Sequence, residues 1–118
     1  MCERHAADQK YPVGTVVKVG GSEEITSVEQ TDEDNVLGVV SNTYAYLLNA
    51  TAGNDETHPP IALLGRVVVR VVGPIRKGDL ITSYGGGCAI VSENGRGFGW
   101  ALEDSSDEHE KLVLCVIK

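Results

Sequence analysis

Cysteine and histidine side chains are the residues of this sequence best suited to hold a metal ion. Cys2 and His5 have the spacing of one half of a zinc site. The close second pair that such a site needs is missing, because His58 and His109 stand alone in predicted loops. The sequence therefore predicts no zinc site.

Two acidic clusters, residues 31–35 and 104–110, contain the oxygen ligands that calcium prefers. Neither has the alternating ligands, central glycine and terminal glutamate of a calcium-binding loop. We interpret both as solvated loops, and we predict no metal and no cofactor. A cation, or Arg66 or Arg70 of a neighbouring copy, would relieve the repulsion between their like charges.

A run of three glycines, Gly85 to Gly87, is of the type that cradles phosphate groups. A phosphate loop of that kind is followed by a helix whose N-terminus faces the anion. Here the next residues, 88–91, have the pattern of a strand. We therefore interpret the glycines as a turn that needs positive φ angles.

Local patterns for covalent catalysis are also missing. There is no G-x-S-x-G motif, and Asp79 is placed as a turn residue before a strand. Asn54-Asp55 and Asn94-Gly95 are typical of turns rather than of cleavage sites. A triad assembled from distant residues stays open, since spacing alone does not reveal it. With no visible cluster of titratable residues, we predict that the protein is not an enzyme.

Aromatic residues offer a different chemistry, the stacking of a sugar ring. Trp100 lies beside glycines in a predicted strand, where a core or interface anchor is the more common role. Three tyrosines, Tyr44, Tyr46 and Tyr84, lie near loops. They would form either a glycan-binding surface or a subunit-contact surface. The sequence does not choose between these two.

Composition narrows the class of protein. The chain has 118 residues, three cysteines without a C-x-x-C pair and a net charge of −7. Its size suits one domain, and its acidity argues against a nucleic-acid partner. No apolar stretch approaches the roughly 20 residues that cross a bilayer, and no secretory signal begins the sequence. We expect a cytosolic protein with reduced thiols, or one assembled in a cytosol.

Short β-branched runs between Gly, Pro, Asn and Asp predict an all-β fold, a small barrel or sandwich. Residues 1–10 are predicted to be a polar arm that is mobile until a partner orders it, and residues 11–118 a single β domain. We predict about eight short strands: 15–19, 24–28, 36–40, 62–72, 80–83, 88–91, 97–102 and 112–117.

Two of these strands suggest how the protein makes contacts. In the strand at 62–72, alternation places Val67, Val69 and Val71 in the core and the two arginines outward. The last strand is apolar on both faces, which indicates burial on both sides or an interface on one. The predicted interface residues are Arg66, Arg70, Trp100, Val113, Cys115 and Ile117.

The sequence also echoes itself. The turn and strand at 12–17 recur at 76–81, 64 residues later, and 36–40 is answered by 97–101. In this interpretation each half ends in a strong strand, at 63–72 and at 112–117. Two pseudo-repeated halves of four strands each, packed into a small barrel, would produce this pattern.

These residues resemble a β domain that recurs at the end of phage tail-fibre and related virion proteins, including neck appendages. The resemblance extends from Tyr11 to Lys118. Its strongest blocks are Ile61-Ala62-Leu63-Leu64-Gly65-Arg66-Val67 and Gly73-Pro74-Ile75-Arg76-Lys77-Gly78-Asp79-Leu80-Ile81, and it closes with Gly99-Trp100-Ala101-Leu102-Glu103.

The resemblance implies a virion structural protein, assembled in the host bacterial cytoplasm, that forms homotrimers and contacts capsid, tail or fibre proteins. Because only ten residues precede the domain, we expect a small head-decoration or fibre/tail-adaptor module. Two alternatives follow from the same resemblance: an autoproteolytic intramolecular-chaperone domain, and a carbohydrate-binding fibre module.

Overall fold

Two β-sheets, one open and one closed, make up the protein in the computed structural model, which describes residues 1–118. Six strands form the open sheet in the order β3-β2-β4-β6-β1-β5, and five close into a barrel in the order β10-β11-β7-β9-β8. The predicted all-β fold with a small barrel is confirmed. No helix is long and apolar enough to span a membrane.

The strands are short, as predicted, but there are eleven of them. In chain order they are β1 Cys2–Arg4, β2 Val16–Val19, β3 Ile25–Ser27, β4 Val36–Val40, β5 Leu47–Leu48, β6 Pro60–Ala62, β7 Gly65–Val71, β8 Leu80–Ser83, β9 Ala89–Val91, β10 Gly99–Ala101 and β11 Lys111–Ile117. The strand predicted at 62–72 is two strands, because the chain turns at Gly65 with a φ of 100°.

Strand β7 shows why these residues form a sheet. Val67, Val69 and Val71 alternate with outward residues and are almost fully buried in the barrel, as the period of two requires. β11 runs antiparallel to β7 along its whole length, from Lys111 opposite Val71 to Ile117 opposite Gly65. This ladder is the longest strand pairing in the barrel.

The two sheets repeat one topology. β2 pairs with β3 and β4, just as β8 pairs with β9 and β10, all antiparallel. The register agrees: Val17 lies opposite Ser27, and Ile81 lies opposite Val91, 64 residues further on in both strands. The repeat seen in the sequence is therefore also present in the strand pairing of the two halves. β7 opens the second half, whereas the sequence had placed this strand at the end of the first.

The predicted mobile arm is wrong for the first residues. Cys2–Arg4 forms a strand between β6 and β5, and Cys2 is buried. Ala7 then bridges Ile25 in parallel, the counterpart of the Val71–Ala89 bridge in the barrel. The polar composition concealed this strand because only one of its side chains enters the core.

Each half encloses apolar side chains of its own. In the first half these are the buried Val17, Ile25, Val40 and Ile61. The barrel interior continues into the layer between the sheets, where Val16 and Val39 are buried. One cluster of buried apolar residues therefore spans both halves, and the four residues of the first half form a second, separate cluster.

Backbone and side-chain hydrogen bonds join the halves at two places. At one, the Arg70 amide donates to the Gly14 carbonyl at 2.9 Å, and the Gly87 amide donates to the Val28 carbonyl at 3.0 Å. At the other, the Asn94 amide group donates to the Glu33 carboxylate at 3.0 Å. Arg96 reaches the same carboxylate at 3.2 Å.

Candidate assembly surface

An apolar row crosses the outside of the barrel. Trp100 lies opposite Leu80 on β8 and opposite Val116 on β11, and Val116 lies opposite Arg66 on β7. Leu114 and Val68 form the next row on the same side. We call Leu80, Trp100, Val116, Leu114 and Val68 the outer face. It places apolar side chains of four adjacent strands against solvent.

Cationic side chains border the outer face. The Lys118 ammonium lies 5.1 Å from the centroid of the Trp100 ring, close enough for a cation–π contact. Arg66 is exposed and forms no ion pair within the chain. Trp100 itself is 36% exposed. Tryptophan and arginine side chains of this kind are enriched where proteins bind each other.

Half of the predicted interface residues are wrong. Val113, Cys115 and Ile117 are at most 3% exposed and point into the barrel, so they cannot reach another protein while the barrel is folded. Their neighbours in β11 point outward instead. Both faces of this strand are apolar, and alternation alone does not tell which one is inside.

Arg70 has a role within the chain. Its Nε donates to Glu110 at 3.1 Å, and its guanidinium also reaches the Thr15 hydroxyl at 3.3 Å. The side chain therefore ties the barrel to the first half. Of the two arginines predicted to relieve acidic loops of a neighbouring copy, only Arg66 is free to do so.

The thiol of Cys88 belongs to the same junction. It donates to the Glu110 carboxylate at 3.1 Å. Burial raises the pKa of Cys88 to about 11, and the hydrogen bond and charge of Glu110 act in the same direction. Burial likewise raises the pKa of Cys115 to about 12. Both groups are therefore thiols at neutral pH, whereas a nucleophilic cysteine must be a thiolate.

The surface cavities are open to solvent. The largest, about 700 Å³, is lined partly by Asp79 and Asp104. These carboxylates accept hydrogen bonds from the amides of Arg76 at 2.9 Å and Lys77 at 2.7 Å, so they hold turns, as predicted for Asp79. No group of three or more His, Cys, Asp or Glu side chains is placed to ligate a metal.

The remaining predicted sites are dispersed. The Gly85–Gly87 run forms a single 3-10 turn, with Gly86 at a φ of 69°, and no helix follows it. His109 is exposed and contacts Asp107, while the His58 ring contacts the Thr57 hydroxyl. Sequence reasoning missed Leu80, Leu114 and Val116, although alternation along the last strand was the signal for two of them.

The first half has an equivalent of the outer face, and it is covered. The register matches Leu80 with Val16, Trp100 with Val39, and Val116 with Ala62. In the first half these three residues are at most 3% exposed, buried in the layer between the two sheets. One face is thus closed inside the chain, and its counterpart is open.

Glycines show the same contrast. Gly14 and Gly78 have φ angles of 94° and 93° and occupy equivalent turns. Gly14 is buried, and a Cβ there would lie within 2.8 Å of Arg70. Gly78 is exposed and has no neighbour within 4 Å of a Cβ. The backbone of the turn is the same, and only the covering residues are missing.

No protein-family profile matches the sequence, and no curated protein matches it. Solved structures do. The C-terminal fragment of bacteriophage phi29 gene product 12 is 15% identical, with a TM-score of 0.72 over 100% of this chain and 99% of that one. The pre-mature phi29 gene product 12 is 14% identical, with a TM-score of 0.74, but this chain spans only 21% of it.

The N base of the phi29 head fiber gp8.5 is 18% identical, with a TM-score of 0.63 over 100% of this chain and 93% of that one. The chain therefore has the fold of a phage fibre-type β domain, which confirms the resemblance expected from its sequence. Fold and surface together define a small β module with one open apolar face.

Proposed function

We propose that this chain is a structural protein of a phage particle, a homotrimeric module that works by binding other proteins. It would serve as a head-decoration protein or as a fibre or tail adaptor, assembled in the host bacterial cytoplasm. Its fold, shared over the whole chain with domains of a phage head fiber and of gene product 12, supports this role. No catalytic step is part of the proposal.

The observation that carries the proposal is the pair of equivalent faces, one covered and one open. Within the chain, the second half covers the face of the first half that contains Val16 and Val39. The outer face has the same position in the second half and is still apolar. Burying apolar area is the general driving force of association, so the first half of another copy is the expected cover.

This contact would be head-to-tail, because each copy offers its second half to the first half of the next. Head-to-tail contacts form closed rings when the rotation between copies closes. In a ring of three copies, contacts within a chain would alternate with contacts between neighbouring chains.

Charge supports a second copy as the partner. Gly87 contacts the first half of its own chain, and its equivalent in the first half is Glu23. Glu23 and its neighbour Glu24 are exposed. The outer face is bordered by Arg66 and Lys118. Opposite charges at the rim of an interface favour encounter and orientation.

A separate exposed group is suited to other virion proteins. Tyr46 is 74% exposed and Leu48 is 47% exposed, with Tyr44 and Met1 near half exposed. They lie on or beside the two-residue strand β5 at the edge of the open sheet. We propose this cluster as the contact with a capsid, tail or fibre protein.

Light scattering on the purified chain tests the trimer. We expect the wild type to be trimeric, and Trp100→Glu and Val116→Lys to be monomeric with an unchanged circular dichroism spectrum. Ser106→Lys is the control, since Ser106 is exposed in the loop before β11 and belongs to neither proposed contact, and it should remain trimeric. A monomeric wild type, or trimeric variants of the outer face, would contradict the proposal.

Purified phage particles test the virion role independently. The chain should be present in them, in a copy number that distinguishes the two positions: hundreds of copies indicate head decoration, and far fewer indicate a fibre or tail position. Its absence from particles would exclude the virion role whatever its oligomeric state.

A self-cleaving function is the second candidate, favoured by the likeness to a structure described as pre-mature gene product 12. Intact mass after prolonged incubation separates the two. A full-length chain rules out cleavage, and a discrete shorter product supports it.

A further inference from the structure

The two halves carry different side chains at one equivalent place, Tyr11 in the first half and Ile75 in the second. The turns that follow them match: in residues 12–15 and in residues 76–79 the last amide donates to the first carbonyl, at 3.2 Å and 3.0 Å. Both side chains pack against buried apolar residues. Tyrosine is the longer of the two, so its hydroxyl extends beyond the reach of isoleucine.

The Tyr11 hydroxyl is fully used within the first half. It donates to the Asp8 carboxylate and accepts from the Ser27 backbone amide at 3.2 Å. The Thr26 hydroxyl lies 3.1 Å away. Tyr11 thereby supplies the acceptor for a backbone donor that the pairing of β3 with β2 leaves free.

In the second half the equivalent donor has no partner. Val91 lies opposite Ile81 in β8, just as Ser27 lies opposite its neighbour in β2. The Ile81 carbonyl accepts from the Phe98 amide at 3.0 Å, so the Val91 amide is directed away from β8. Ile75 has no oxygen to accept from this amide, and the amide makes no other hydrogen bond.

A cavity of about 700 Å³ is lined by both Ile75 and Val91, and we call it the Ile75 cavity. Its polar lining includes Asp79 and Asp104. Each of these carboxylates accepts one amide bond from a turn and keeps its second oxygen free. The cavity therefore offers an apolar wall, an amide donor and a carboxylate acceptor, the three features that surround the tyrosine of the first half.

This lining discriminates among ligand classes. The two carboxylates disfavour an anion, and a cation would leave the Val91 amide unpaired and the apolar wall uncovered. A phenol group packs its ring against the wall, accepts from the amide and donates to a carboxylate. The first half shows this combination in place, with Tyr11 as the phenol.

We propose that the Ile75 cavity receives the tyrosine side chain of another protein. No residue of the outer face lines the cavity, so the proposed contact between copies does not use it. The choice of another protein over a second copy therefore rests on the proposed function, whereas the preference for a phenol does not.

Backbone amide chemical shifts, recorded by NMR on the full chain, test the preference for a phenol. The probes are N-acetyl-tyrosinamide and its phenylalanine and leucine analogues. The tyrosine probe should shift the resonances of Ile75 and Val91. The phenylalanine probe should bind about tenfold more weakly, because it leaves the Val91 amide unpaired. The proposal is overturned if the tyrosine probe shifts neither resonance, or if the leucine probe binds equally well.

Two variants fill the cavity from opposite walls. Ile75→Tyr gives the second half the side chain of the first, and it should abolish probe binding. Because Ile75 is only 2% exposed, Val91→Phe at a half-buried position provides a second route with less demand on the core. Thr51→Phe, exposed and outside the cavity, is the control and should bind the probe like the wild type. Undiminished binding in either folded cavity variant would overturn the proposal.

The source of the tyrosine is tested with a double variant, Tyr44→Ser with Tyr46→Ser, which removes two exposed tyrosines of the chain. Equal probe binding by this variant and the wild type supports another protein as the source. Binding by the variant alone would mean that a second copy fills the cavity, and it would overturn that assignment. Loss of the trimer in Trp100→Glu should leave probe binding unchanged, so the two proposals fail separately.

Discussion

Leu112 and Val113 are consecutive in β11 but lie on opposite sides of the barrel wall. Leu112 is 52% exposed, whereas Val113 is 1% exposed and packs in the core. Such a strand has one face in the core and one face toward solvent, and substitutions on the two should have different consequences.

Truncating one side chain on each face to alanine tests this difference. We expect Val113→Ala to lower the free energy of unfolding by about 2–3 kcal/mol, because it removes buried methyl groups and leaves a cavity. Leu112→Ala should change it by less than about 0.5 kcal/mol. Urea unfolding followed by circular dichroism measures both. Equal effects would mean that the inward and outward faces are assigned wrongly.

Asp32 should make the stability depend on acid. Its pKa is lowered by hydrogen bonds from Lys18, at 2.7 Å, and from the Glu29 amide, at 2.8 Å. A lowered pKa gives stability that is present above the unfolded value, about 3.9, and is lost as pH falls through the folded value.

We therefore expect Asp32→Asn to cost about 2 kcal/mol at neutral pH and progressively less in acid. Denaturant titrations across this pH range measure the difference. Asp34→Asn is the control, because that carboxylate is exposed and should contribute little. A constant difference between wild type and Asp32→Asn at all pH values would contradict the role of ionisation.

Gly38 and Gly99 are equivalent glycines at which the strands approach too closely for a side chain. A Cβ at Gly38 would lie 2.2 Å from the Ala62 carbonyl oxygen, and one at Gly99 would lie 2.5 Å from the Val116 carbonyl oxygen. We expect either alanine variant to lose about 3 kcal/mol or more. Gly85→Ala, with only the end of Glu29 at 3.6 Å, should be nearly neutral in the same unfolding assay.

The N-terminal strand should be sensitive to charge at one position. Cys2→Asp places an unpaired carboxylate in the core, and we expect a loss of about 3 kcal/mol or more. Gln9→Asp, exposed in the same segment, should change stability by less than about 0.5 kcal/mol. If thermal unfolding shows the two variants to be alike, the segment is a mobile arm after all.

All three cysteines are free and buried, so thiol reagents should react slowly with the native protein. With a chromogenic disulfide reagent at mildly alkaline pH, we expect little release until denaturant is added and then three equivalents. Rapid release of one equivalent from the native chain would reveal an exposed or activated thiol, in conflict with the raised pKa values of Cys88 and Cys115.

Sequence alone predicted the parts of the fold that rest on local patterns. Alternation placed Val67, Val69 and Val71 correctly, since one side of that strand carries charges. The repeat was visible because turn glycines such as Gly14 and Gly78 recur where the backbone requires a positive φ. The bounds of β4 and β8 were also predicted as observed.

What the sequence concealed depends on contacts between distant segments. β1 and β5 are two or three residues long, too short for a period to appear, and their partners decide that they are strands. The predicted interface included Val113 rather than Leu114 for a similar reason. Which side of an apolar strand is inside depends on how the barrel closes.

The edges of the sheets determine how copies of this chain can meet. The barrel has no edge, β3 is bordered by the segment at Ala7, and β5 offers only two residues. Few unpaired backbone groups are left to recruit a foreign strand. The proposed association must then be specified by side chains, so a single substitution should reverse it, and crowding many copies together carries little danger of fibrous aggregation.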